Sequence, residues 1–169
     1  MEQKVVERTD PTLAVYVAAA SAEISRAENF IARLSNSGYA SCTHDWTKPM
    51  RAHGADALVD TPTLRVELQA DLHGVDACDV LAVLVPPFDI ATQGAWWECS
   101  RAKAWNDLLV PLSDGSDHCD RKLILAVMPS PSDSVPAWLR CFADHVVVGE
   151  SEADAWLRGY ALGIGRRMR

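Results

Sequence analysis

The sequence has no pair of cysteines two residues apart, and its five cysteines (Cys42, Cys78, Cys99, Cys119, Cys141) stand singly. An odd count at irregular spacing gives neither a disulfide framework nor a thiolate zinc site. Isolated thiols are those of a reduced compartment, so a cytoplasmic protein is expected. The histidines lack metal-ligand spacing, and no metal or other cofactor is expected. Positive charge is short: 16 Lys and Arg stand against 23 Asp and Glu, for a net charge of −7. Binding a nucleic-acid polymer needs clustered cations on its phosphates, so that class is excluded, while a single nucleotide stays open. No apolar run reaches membrane length and no signal peptide is visible, so no membrane partner is expected. The glycine fingerprint of dinucleotide folds is missing after the first apolar run, which continues Ala18-Ala19-Ala20-Ser21. Internal repeats and low-complexity tracts are absent too.

What is present is a chain of 169 residues, half of them apolar. That suits one domain, over 12–169, behind a charged leader at 1–11. Leu13–Ala19 is a short apolar run without alternation, as expected of a strand buried on both faces. Further strands are expected at Tyr39–Trp46, Asp79–Val85, Lys122–Met128 and His145–Val148. Helical spacing separates them. Ser21 offers an N-cap for a helix carrying Ile24, Ala27, Ile31 and Leu34, with Gly38 as its C′ residue. Thr61-Pro62 opens a second helix whose buried stripe is read as Leu64, Leu68, Leu72 and Val75. A third runs from Gly94 to about Asn106, a short one covers 137–143, and Ser151 caps the last. Residues 47–60 are read as a loop over the strand ends with at most a helical turn, and 111–120 as a surface insertion. Strands alternating with helices give an α/β fold: a doubly wound, mostly parallel five-stranded sheet of flavodoxin-like or Rossmann-like type, with helices on both faces.

Ligands in such sheets bind beyond the carboxyl ends of the strands. The stretch Gly94-Ala95-Trp96-Trp97-Glu98 follows the third strand and its loop. It places Glu98 in the first turn of a helix, where the helix dipole favours the ionised, nucleophilic form. Each candidate also has a plainer reading. Glu98 can be a helix-start carboxylate, and Tyr16 a packed strand residue. Asp71 can be a solvated residue late in its helix, and Asp79 a structural group at the start of its strand. Ser21 can be an ordinary N-cap rather than a phosphate contact. Trp96 and Trp97 are adjacent on a helix, so one belongs to the core or an interface and the other can line a pocket. His44 and Asp45 are either a polar pair near the site or satisfied loop groups.

Four segments resemble the nucleoside 2-deoxyribosyltransferase-like family, which includes N-glycosidases of nucleoside monophosphates. They are Val15-Tyr16-Val17-Ala18, Asp71-Leu72-His73-Gly74-Val75, Ala77-Cys78-Asp79-Val80 and Gly94-Ala95-Trp96-Trp97-Glu98. The resemblance runs from about Leu13 to Val127. It implies a glutamate nucleophile at Glu98, held by a hydrogen bond from Tyr16, with Asp71 contacting or protonating the base. Substrate contacts are expected from Ser21, Asp79, Thr92, Gly94 and Trp97. Thr92 stands where the base-exchanging transferases carry an aspartate, which favours hydrolysis over transfer. The implied partner is a small-molecule nucleoside or nucleotide, and the implied assembly is a homodimer or higher homo-oligomer. The alternatives are a nucleotide-binding or nucleotide-sensing domain of the same fold without turnover, and a structural or oligomer-forming domain.

Overall fold

The computed structural model describes residues 12–53, 61–87, 93–109, 121–131 and 133–167. The expected leader, the loop holding Thr92 and the 111–120 insertion lie outside these residues. Five strands, β1 (Leu13–Ala19), β2 (Ala40–Cys42), β3 (Val80–Leu84), β4 (Leu123–Met128) and β5 (His145–Val148), form one sheet in the order β2-β1-β3-β4-β5. Every pairing is parallel. This is the doubly wound α/β fold in its flavodoxin-like order, with the topological switch between β1 and β3.

Successive side chains of a strand point to opposite faces, and the two faces bury separate cores. Leu13, Val15 and Val17 of β1 pack with Ala27, Phe30, Ile31 and Leu34 of α1 (Ile24–Asn36) and with Ala153 and Leu157 of α6 (Gly149–Arg167). Tyr16 and Ala18 face the other way. They join Val75 of α3 (Thr61–Ala77), Ala95, Cys99 and Ala102 of α4 (Gln93–Leu109) and Leu139 of α5 (Ala137–Arg140). The small residues Ala95, Cys99 and Ala102 bring α4 close to the sheet. Gly38 ends α1 with φ 74°, the left-handed conformation a C′ glycine supplies.

Some boundaries differ from the sequence reading. The second strand keeps only Ala40–Cys42 of the expected Tyr39–Trp46. Past Cys42 the chain is held by tertiary bonds instead: Thr43 N–H donates to Val15 O at 2.9 Å, Thr43 Oγ1 to Gly74 O at 2.8 Å, and Trp46 Nε1 to Val17 O at 2.8 Å. Residues Thr47–His53 are a helix, α2, where a loop with at most a helical turn was expected. The last helix starts at Gly149 rather than after Ser151, and Glu152 accepts the Val148 N–H at 2.7 Å. Leu68, expected in the stripe of α3, is 51% exposed. Among the described residues no helix is long and apolar enough to cross a membrane.

Candidate active site

Tyr16 sits in the middle of β1 on the face covered by α3 and α4, and it is fully buried. Its hydroxyl lies 2.7 Å from Glu98 Oε1 and 3.1 Å from Asp71 Oδ1. A central strand, a helix before β3 and a helix after it therefore meet at one phenol oxygen. Gly74 permits the approach of α3. A Cβ there would come 2.6 Å from His44 Cβ and 2.8 Å from the Tyr16 ring.

The three groups share too few protons for all to be satisfied in the ionised state. A phenol donates one hydrogen bond, so Tyr16 can serve only one carboxylate at a time. Burial pushes the Glu98 carboxyl up to about 8; the nearby Asp71 charge adds to this, while the Tyr16 hydrogen bond opposes it. Burial raises Asp71 as well, against the Tyr16 hydrogen bond and the His44 ring. Burial and the two carboxylates hold the Tyr16 phenol far above its ordinary value. At pH 7 the trio thus favours one proton on the carboxyl pair beyond the phenol's own. This corrects the expectation that Glu98 is ionised by the helix dipole. The helix begins at Gln93 and has no acidic residue in its first turn, so Glu98 falls in the second turn, where that effect has faded.

His44 Nε2 stands 3.4 Å from Asp71 Oδ1. Two buried side-chain polar atoms among the described residues lack a hydrogen-bond partner, His44 Nε2 and Glu98 Oε2. Unpaired groups of this kind are uncommon in folded proteins and call for a ligand or water to complete them.

Asp71 and Glu98 line a cavity of about 350 Å³. Ser21, Gly94 and Glu67 also border it, and Trp46, Met50, Leu64 and Leu68 supply its apolar wall. That explains the exposure of Leu68: the amino-terminal half of α3 faces the cavity, not the core. A second cavity of about 340 Å³ lies by β3, β4 and α5, but none of Tyr16, Asp71 and Glu98 lines it.

Of the expected contacts, Tyr16, Asp71 and Glu98 converge, and Ser21 and Gly94 lie at the cavity border. Trp97 does not line it. Packing Ala95, Cys99 and Ala102 on the sheet turns Trp97 outward, and it is 66% exposed. Asp79 is at the opposite end of the sheet, where Oδ2 accepts the Ala14 N–H at 2.8 Å and ties β1 to β3. Thr92 lies outside the described residues. Trp46, Met50 and Glu67 were missed as cavity residues. Only Trp46 carried a sequence signal, as an aromatic at the end of a segment reaching the strand ends. Among the described residues no group of His, Cys, Asp and Glu could hold a metal ion.

No protein-family model matches the chain, and no curated protein matches it. Among solved structures it is similar to the CMP N-glycosidase BcmB of Clostridium botulinum, at 16% identity over 87% of this chain and 97% of that one, with a TM-score of 0.48. A likeness at that level carries no inference about activity.

Proposed function

We propose that the chain cleaves the N-glycosidic bond of a nucleoside or nucleoside 5′-monophosphate, with Glu98 as nucleophile and hydrolysis favoured over base exchange. The observation that carries this reading is the Tyr16 hydroxyl lying 2.7 Å from Glu98 and 3.1 Å from Asp71 beside a cavity. The short path supports a proton exchange. A proton on Glu98 passes to the Tyr16 oxygen as the phenol proton passes to Asp71. Glu98 is left ionised and Asp71 protonated, with total charge unchanged. Glu98 then bonds to C1′ as the C1′–N bond breaks, and the base departs with that electron pair and the Asp71 proton. Water, losing a proton to Asp71, attacks C1′ and releases the sugar from Glu98. Thr92 supports hydrolysis, because a hydroxyl cannot replace the transferase aspartate as a charged group.

The test is incubation with a panel of nucleosides and 5′-monophosphates, followed by chromatography for free base. The expected result is release from at least one substrate, abolished in Glu98→Gln. Release from none, or equal release by the variant, overturns the reading.

A binding or sensing domain without turnover is the second reading. It is favoured by the burial that raises the Glu98 carboxyl, which opposes the ionised form a nucleophile needs. A ligand would then raise the melting temperature with no product formed. We also propose that the chain is a homo-oligomer. Trp96 and Trp97 on α4 and Val66 on α3 present exposed apolar surface that a second copy would cover.

A further inference from the structure

We infer that the cavity beside Glu98 takes an N-glycoside whose base carries a fixed positive charge, such as an N-ribosyl pyridinium, in preference to a neutral nucleoside of the same shape. The inference rests on the glycosidase reading of Glu98 and narrows its substrate class.

The wall supplies negative charge without a counter-ion. Glu67, Asp71 and Glu98 all line the cavity, and no Lys or Arg does so among the described residues. Cations on the neighbouring elements stand outside the wall. Arg65 of α3 is exposed. Lys48 and Arg51 of α2 pair with Asp45 and Glu28, and Arg26 of α1 pairs with Glu23 and Glu150. His44, with Nε2 at 3.4 Å from Asp71 Oδ1, is the one basic group in ion-pair reach of the three carboxyls among the described residues.

Three further observations point to a cationic occupant. Glu98 Oε2 is buried without a partner, so an occupant has to supply what it lacks. Burial drives the Glu98 and Asp71 carboxyls upward, the response of buried acids short of positive charge, and a bound cation provides that charge. Trp46 lies in the same wall, its indole fixed by the bond to Val17 O, and aromatic faces hold organic cations.

Such a base needs no acid to leave. Cation binding lets the carboxyl pair give its shared proton to solvent, so that Glu98 and Asp71 are both ionised. Glu98 bonds to C1′ as the C1′–N bond breaks, and the base takes that electron pair and departs neutral. Water then loses a proton to Asp71, and its oxygen displaces Glu98 from C1′. One proton is released in each cycle.

The probes are nicotinamide riboside, a pyridinium, and its dihydro form, which is neutral and of nearly the same size. Dissociation constants are measured on the full chain carrying Glu98→Gln, so that neither probe is consumed, and base release is measured on wild type. The expected result is binding about tenfold or more tighter for the cation at low salt, with the ratio shrinking as salt screens the attraction. Adding Glu67→Gln should shrink it further, and wild type should release nicotinamide. Equal binding of the two forms, or a ratio that Glu67→Gln leaves unchanged, overturns the inference. Should the cation bind preferentially while wild type frees base from neither it nor any nucleoside, the glycosidase reading fails and the charge selection stands. Should neutral nucleosides be cleaved while the cation is neither bound nor cleaved, the inference fails and the glycosidase reading stands.

Discussion

Glu98 and Asp71 face one phenol with one proton to give, and this has consequences in solution. If the pair works with a single shared proton, losing it removes the acid that protonates the leaving base. With Glu98 pushed up to about 8, kcat/KM should fall above about pH 8. A rise through that region would mean that Glu98 acts alone and needs no partner acid. Stability has its own signature. A carboxyl whose folded value is raised from 4.5 to about 8 contributes stability that is complete below about pH 4.5 and is lost as pH climbs towards 8. Glu98→Gln removes that loss. Thermal unfolding at pH 9 should find the variant more stable than wild type by roughly 4–5 kcal/mol, with little difference at pH 5. A variant less stable at both values would contradict the burial argument. Tyr16→Phe keeps the ring and deletes the bridge, so single-turnover base release should slow by about 10²-fold or more.

At the scale of elements, the site depends on how closely α3 can approach β1. Gly74 is the point of approach, and the atoms it would strike belong to the Tyr16 ring and His44 Cβ. Gly74→Ala should cost about 1–3 kcal/mol in urea unfolding, by forcing the ring aside, and should lower base release as the phenol leaves its two carboxylates. Unchanged activity would show that the Tyr16 position is not critical. The sequence was most legible where local pattern and tertiary role agree. β1 runs over Leu13–Ala19 and β5 over His145–Val148, the expected bounds, because each apolar run is also a buried or paired strand. Agreement fails where long-range bonds decide. The tail of the second strand is drawn off by Val15, Val17 and Gly74, none of which is near in sequence. Leu68 keeps helical spacing with Val75, yet periodicity cannot distinguish a core face from a cavity wall. The meeting of Tyr16 with Asp71 and Glu98, 55 and 82 residues away, was reachable only through the resemblance. Trp97 was misjudged for a related reason, since an indole near a carboxylate in sequence is turned away by the small residues that seat α4.

The whole molecule is a parallel sheet whose strand order reverses between β1 and β3, and the cavity opens by that reversal. Its outer surface carries tryptophans that the monomer leaves uncovered. Sedimentation should find a dimer or larger assembly that Trp97→Glu shifts towards monomer, and a wild-type monomer at all concentrations would refute the proposed oligomer. The central claim, however, is covalent. The most direct test is a mechanism-based 2-fluoro nucleoside, followed by mass mapping of the digested protein. The account predicts a sugar-sized mass on the peptide holding Glu98, formed as base is released and absent from Glu98→Gln. Base release with no adduct, or an adduct on another residue, would contradict it.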